Sequence, residues 1–367
     1  MPWRRDLGVD DRDCLIGLHL NARLTPRRLH RLLSAMGSAR AVWQASAGAM
    51  ASVLGDADAA DAVSRSRDPA AALQEQERAA RAGVEIVTVL DARYPTSLRS
   101  LRDSPAVICV RGDLKVLERA CVAIVGTRRA SGYGRIVARR MGFELAGAGV
   151  AVVSGLARGI DAAAHEGALD ATGGTVAVLG SGLLYELPAW QRDLAARIQR
   201  GGALISEFPL EMRPTRWSFP QRNRLLSAIS KVVVVVEAPL RSGALITADW
   251  ALRQGKDVFA VPGQVTSARS AGSNELLRDG ASLATSAGDV LLAIGARRIE
   301  RSDDEALSGM GAVERAIYEH IDLEPVHIDD IIARGGFTPA EAAHTLLALE
   351  MADLIRELPG KRFIRVR

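Results

Sequence analysis

Of the 367 residues, only three are cysteine (Cys14, Cys109, Cys121). They lie far apart, with no C-x-x-C, so neither a zinc site nor a disulfide framework is expected, and they read as reduced, mostly buried thiols. Aromatic residues make up 4% of the chain, so any that cluster in a loop stand out. No uncharged apolar run reaches the roughly 20 residues needed to cross a bilayer. The segment Met1–Asp10 has no apolar h-region, which predicts no secretory leader, no membrane partner and a cytoplasmic location. Lysine is scarce as well. Only Lys115, Lys231, Lys256 and Lys361 occur among 47 basic residues, so arginine, the planar bidentate phosphate partner, carries the positive charge. With a net charge of +4 and a pI near 9.2, composition leans toward nucleic acid no more than a high-GC coding bias would. The placement of the arginines has to decide.

Residues 1–75 read as a small helical module. In Leu24-Thr-Pro-Arg-Arg-Leu-His-Arg-Leu-Leu33, Thr25 is the expected cap, Pro26 the first helical residue and Gly37 the stop. A second helix is expected over Ala39–Gln44. Residues 76–117 form a connector with strand candidates Val84–Leu90 and Ala106–Arg111. From 118 to 294 short apolar runs alternate with helical segments. Strands are predicted at Cys121–Gly126, Val150–Gly155, Thr175–Gly180, Ala203–Glu207, Lys231–Ala238 and Asp257–Pro262. Continuous apolar strands such as Val232–Val236 need cover on both faces, so the core is expected to be α/β, a doubly wound Rossmann-like parallel sheet. Residues 295–309 are a polar, charge-mixed linker. Residues 310–367 offer three helices, the last capped by Thr338, and a hairpin turning at Pro359-Gly360, which suggests a winged helix.

In an open α/β sheet ligands sit beyond the carboxyl ends of the strands. After the first strand comes Gly126-Thr-Arg-Arg-Ala-Ser-Gly-Tyr-Gly134, where Gly126, Thr127 and Arg128 predict an anion site at a helix start. After the second comes Ser154-Gly-Leu-Ala-Arg-Gly-Ile-Asp161, with Ser154 and Arg158 able to meet a phosphate. Asp161 and His165 are four residues apart on one helix face, and read as a structural pair tying loop to helix rather than a catalytic one, because no nucleophile stands near in sequence. After the fourth strand, Arg213, Arg216, Arg222 and Arg224 interleave with Trp217, Phe219 and Asn223; basic groups track a sugar–phosphate backbone and rings stack on unpaired bases. After the fifth, Ser242-Gly243 opens a helix as another anion cradle, and Glu237 is expected to orient a neighbouring arginine. Walker A and Gly-x-Gly-x-x-Gly patterns are missing, and Gly180-Ser-Gly-Leu-Leu-Tyr185 is only a partial match, so no cofactor and no metal is expected.

Several motifs in order resemble those of the DNA processing protein A family (DprA, also called Smf). They are Val125-Gly-Thr-Arg128, Ser154-Gly-Leu-Ala-Arg-Gly-Ile-Asp161 with His165, Ser206-Glu207, Phe219-Pro-Gln-Arg-Asn-Arg224, Val235-Val-Glu-Ala238 with Ser242-Gly-Ala-Leu-Ile-Thr247, Val261-Pro-Gly263 and Gly280-Ala281. The resemblance covers residues 80–293 strongly. It implies a Rossmann-like core behind a sterile-alpha-motif-like helical domain, and a winged helix after it. It also implies sequence-independent binding of single-stranded DNA, dimerisation through the core, loading of the RecA recombinase in natural transformation, and no catalytic residue. By position it assigns DNA contacts to Arg128, Arg216, Phe219, Arg222, Asn223 and Arg224. One departure stands out: the family's Tyr-Pro-x-x-Asn is Leu187-Pro-Ala-Trp-Gln191 here, which puts a polar contact from that loop in doubt.

Two rivals remain at this stage. A nucleotide phosphoribohydrolase would use Glu237 and Arg158, but its Pro-Gly-Gly-x-Gly-Thr hallmark is replaced by Pro239-Leu-Arg-Ser-Gly-Ala. A duplex reader would act through the winged helix, yet the third helix there carries Glu341 and Glu350 and no Arg or Lys, which favours protein contact or packing.

Overall fold

The computed structural model describes residues 10–296, 311–322, 324–351 and 354–365. It divides into two compact units, Met1–Arg298 and Ile299–Arg367.

The first unit opens with six helices: α1 (Asp11–His19), α2 (Pro26–Met36), α3 (Ala39–Gln44), α4 (Ala47–Leu54), α5 (Ala57–Arg65) and α6 (Pro69–Arg81). Thr25 caps α2 by accepting from the Arg28 N–H, Pro26 follows, and Gly37 ends the helix with φ +86°. The Ala/Asp-rich stretch beyond residue 56 has little apolar periodicity, yet Asp56 and Asp68 cap α5 and α6; capping chemistry supplies what the sparse pattern lacks.

The sheet has nine strands in the order β1-β2-β6-β5-β4-β3-β7-β8-β9. These are β1 (Glu85–Thr88), β2 (Val107–Gly112), β3 (Cys121–Val125), β4 (Ala151–Ser154), β5 (Thr175–Val178), β6 (Ala203–Ser206), β7 (Val232–Val235), β8 (Asp257–Ala260) and β9 (Ser282–Leu283). From β6 to β9 all neighbours pair in parallel. The six core strands fall where the apolar runs predict them. The two connector strands do not stand apart: β2 pairs antiparallel with β6, and β1 with β2. They cover an edge that would otherwise expose unpaired backbone groups.

Helices α8 (Gly132–Gly147), α9 (Ile160–Leu169), α10 (Ala189–Gly201) and α14 (Ala287–Ala293) cover one face, and α7 (Thr96–Arg99), α11 (Ser218–Ile229) and α12 (Gly243–Arg253) the other; α13 is Ala271–Arg278. The strands show this in their alternation. Val122 and Ile124 pack with Met141 and Ala164, whereas Ala123 and Val125 pack with Leu225 and Ala248.

The helical module is continuous with the sheet. Leu15, Leu18 and Ala72 share a core with Val107 and Cys109 of β2 and Leu194 and Ile198 of α10. Glu75 of α6, buried, accepts the Leu210 N–H at 2.8 Å. All three cysteines are free and buried, and burial pushes the Cys109 and Cys121 thiols up to about 12.

The second unit contains α15 (Ala312–Glu319), β10 (Val326–His327), α16 (Ile328–Gly335), α17 (Pro339–Met351), β11 (Ile355–Leu358) and β12 (Arg362–Arg365), its sheet ordered β10-β12-β11. This is a winged helix with its own core, including Ile317, Ile331, Leu346 and Phe363. Thr338 and Glu341 cap α17 reciprocally, and Gly360 turns the hairpin with φ +86°. The predicted linker falls almost wholly outside the described residues.

Candidate nucleic-acid interface

The strand ends of β3 to β7 bring the predicted loops to one edge of the sheet, but the loops use their polar groups in two distinct ways.

At the edge's centre lies the switch point between β3 and β7, where Rossmann-like sheets usually open a crevice for a ligand. Here it is closed from within. The Thr127 N–H donates to the Glu237 carbonyl at 2.7 Å, and the Ser131 N–H donates to Glu237 Oε2 at 2.8 Å. Ser131 caps α8 by accepting from the Gly134 N–H at 3.0 Å. The buried Glu237 carboxylate thus occupies the positive end of α8. It holds loop backbone rather than orienting an arginine, as the sequence had suggested. The loop presents side chains outward instead: Arg128 and Arg129 are exposed, whereas Thr127 is buried.

Among the strand-end loops, three exposed arginines lie over rings, as Arg99 and Arg253 do elsewhere. The Arg128 guanidinium lies 5.0 Å from the centroid of Phe219, Arg158 lies 5.1 Å from Trp190, and Arg216 lies 4.8 Å from Trp217. Phe219 rests on the end of β5, since a Cβ on Gly180 would come within 2.7 Å of its ring. Trp217 is 69% exposed, an unusual position for a large ring. Thr215 and Ser218 fix the turn that carries it, the Thr215 N–H donating to Ser218 Oγ and the Ser218 hydroxyl to the Thr215 carbonyl, both at 3.0 Å. An exposed arginine–ring contact is worth about 0.5–1 kcal/mol. A base stacked on a protein ring is worth about 1–3 kcal/mol. A ring of this kind therefore has more to gain from an unpaired base than from the resting arginine.

The Arg222-Asn223-Arg224 run corrects the sequence expectation. Successive residues on a helix point about 100° apart, so this run sends its three side chains to different partners. Arg222 donates through Nη1 to the carbonyls of Gly155, at 3.0 Å, and Val178. Its charge faces Asp161, and burial lowers its pKa to about 10, which leaves it protonated at neutral pH. A Cβ on Gly155 would come within 2.6 Å of the guanidinium, so this glycine leaves room for the arginine. Asn223 donates to the Gly243 carbonyl at 3.1 Å and ties α11 to the start of α12. Arg224 is 2% exposed, ion-paired to Glu207 and, at 3.2 Å, to Asp103. Both side chains are buried. They fix the loops and do not take phosphates directly.

Ser154 needs the same correction. Its buried hydroxyl donates to the Ile124 carbonyl at 2.6 Å and is closed to a ligand. Asp161 and His165 are both structural, but they do not serve each other. Asp161 accepts the Gly155 and Ala157 N–H groups at 3.1 and 3.3 Å. Burial raises its pKa, and Arg222 works against that rise. His165 meets Thr175 Oγ1 at 2.7 Å, and that hydroxyl donates to the Val152 carbonyl. The Thr175 proton is thereby committed, so His165 Nδ1 is the donor. Burial, aided by Arg222, lowers the His165 pKa to about 3, so the ring is neutral.

At the start of α12, Ser242 caps the helix by accepting from the Ala244 N–H at 3.2 Å, and Gly243 is exposed with open space around it. In the segment that departs from the family pattern, Gln191 donates to the Leu156 carbonyl at 2.7 Å. Leu156 is a buried non-glycine residue with φ +58°, a strained backbone that persists because its surroundings hold it. Leu187 is half-buried. The sequence reading missed Trp190 altogether; its signal was an aromatic just inside a helix that follows a strand end.

Comparison with known proteins fits this geometry. The family model for DNA recombination-mediator protein A matches residues 85–295, and the DprA winged helix domain model matches residues 302–361. The chain is 39% identical to protein Smf of Escherichia coli K12 over 282 residues, 75% of each chain. The crystal structure of DprA from Streptococcus pneumoniae aligns with a TM-score of 0.68 and 31% identity over 76% of this chain and 97% of that one. DprA from Helicobacter pylori aligns with a TM-score of 0.53 and 31% identity over 58% and 98%. This is a family of recombination mediators that act on DNA by binding, not of enzymes. The chain belongs to the DNA processing protein A (DprA/Smf) family.

Proposed function

We propose that this protein binds single-stranded DNA without sequence preference along the strand-end edge, and passes that strand to a RecA-type recombinase in natural transformation. The observation that carries the reading is the pairing of exposed Arg128 with Phe219 beside exposed Arg216 and Trp217. Guanidinium and ring side by side suit phosphate and unpaired base together, whereas duplex bases are already stacked. The relative from Helicobacter pylori is described with a single-stranded DNA binding mode of its own, which supports the assignment.

Arg128 and Arg216 take phosphates, Phe219 stacks on a base, and the open backbone at Ser242-Gly243 extends the track. Gly126 and Thr127 set the loop's path, while Ser154, Arg222, Asn223 and Arg224 act from beneath. Action in the cytoplasm and a homodimer through the core belong to the same proposal. The exposed Leu252 of α12 and Leu283 of β9 offer apolar area for the dimer at one end of the sheet, and sedimentation over a range of concentrations tests it. Against a phosphoribohydrolase, Glu237 is committed to loop backbone.

A gel shift with single- and double-stranded competitors of equal length tests the main reading. Single strand should displace the probe at far lower concentration. Equal competition by duplex would overturn it.

A further inference from the structure

Phe219 stands against Gly180, just past the end of β5. The chain leaving that strand end runs into α10, and Trp190 is its second residue. The two helices lie on opposite faces of the sheet. Leu194 and Ile198 of α10 pack on the side of Ala177, whereas Leu225 and Leu226 of α11 pack on the side of Val176 and Val178. The two rings therefore belong to helices on opposite faces of the sheet, and each ring carries an exposed arginine from a strand-end loop, Arg128 after β3 and Arg158 after β4.

Trp190 is also held in place. Gln191 donates to the carbonyl of Leu156, two residues before Arg158, which ties the start of α10 to the β4 loop. The strained backbone of Leu156 sits at that joint. A core-sealing tryptophan would be buried among apolar side chains. This one is only half-buried, with a guanidinium laid over it.

We infer that Trp190 is a second stacking platform for an unpaired base, on the opposite side of the sheet edge from Phe219, with Arg158 as the phosphate partner of that position. A strand laid over the end of β5 meets one ring on each side. The inference deepens the single-stranded DNA reading and rests on it.

The test is binding of a labelled oligothymidylate, followed by fluorescence anisotropy, to the full chain and to Trp190→Ala, Trp190→Phe and Phe219→Ala. Trp190→Ala should weaken binding about tenfold and Trp190→Phe should hold affinity near the parent, because a phenyl ring still stacks. Thermal midpoints should match the parent in both. A second readout does not depend on the alanine variant folding. In a Trp217→Phe background, strand binding should quench tryptophan fluorescence, and adding Trp190→Phe should remove most of that quenching. If the parent binds, Phe219→Ala is weakened, and Trp190→Ala binds like the parent or the quenching is unchanged, this inference falls and the DNA reading stands. If the parent shows no preference for single strand, both fall.

Discussion

Two sets of arginines share one edge of this sheet and do opposite work. Arg128, Arg158 and Arg216 are exposed and rest on rings, each free to exchange its partner. Arg222 and Arg224 are buried and committed, one to the carbonyls of Gly155 and Val178 and to Asp161, the other to Glu207 and Asp103. On the proposed reading, losing an exposed arginine removes a phosphate contact. Losing a buried one leaves a carboxylate without its counter-charge in a dry site. The same residue type is built into the fold in one place and left at the surface in the other.

The largest effect separating the two sets is on stability. Arg224→Ala should destabilise the first unit by about 3–5 kcal/mol, the usual cost of stripping one partner from a buried ion pair, whereas Arg128→Ala and Arg216→Ala should leave the denaturation midpoint nearly unmoved. If urea unfolding ranks them otherwise, the division is wrong. Next comes the ring: Phe219→Ala should cost about 1–3 kcal/mol of single-strand affinity, read by titration at fixed salt. Unchanged affinity would remove the stacking role.

A smaller and more selective effect belongs to the exposed arginines. Arg128→Ala and Arg216→Ala should each lower the log–log salt slope of binding by about 0.7, the share of one neutralised phosphate on a single strand. Arg222 and Arg224 replacements that still fold should leave that slope intact.

The last effect concerns pH. The His165 pKa is lowered from 6.5 to about 3 by burial. The unfolded chain therefore takes up a proton that the folded chain refuses. Stability from this residue is present above pH 6.5 and is lost as pH falls from there toward 3. Asp161 and Glu207 have raised pKa values, chiefly through burial, so each pulls the opposite way above its unfolded value. Comparing the melting temperature of the parent with His165→Asn between pH 7 and 5 isolates the histidine. The variant should lose less on acidification, and parallel curves would refute the linkage.

Much of this was legible in the sequence. Runs such as Val232–Val236 need two covered faces, and that requirement alone places the parallel strands and their loops. Thr25, Pro26 and Gly37 mark one helix because each performs a local job that needs no distant partner. The fate of Arg222 and Arg224 was not legible, because written side by side with Asn223 they look like one basic face. A helix turns them apart, and their partners Asp161 and Glu207 lie far off in sequence. Ser154 misled for a related reason: a hydroxyl at a strand end looks available until the neighbouring strand's carbonyl is found within reach. The joining of β2 to β6 is likewise a matter of which edge stands open in three dimensions.

The family match begins at residue 85, whereas the hydrophobic interior begins seventy residues earlier, with Cys14 and Leu15 set against Val107, Cys109, Leu194 and Ile198. The segment that the family model spans is thus smaller than what must fold together. A fragment trimmed to that segment would bare one flank of α10 and β2 to water and should clump on expression, so dissecting this protein calls for cuts that follow its interior.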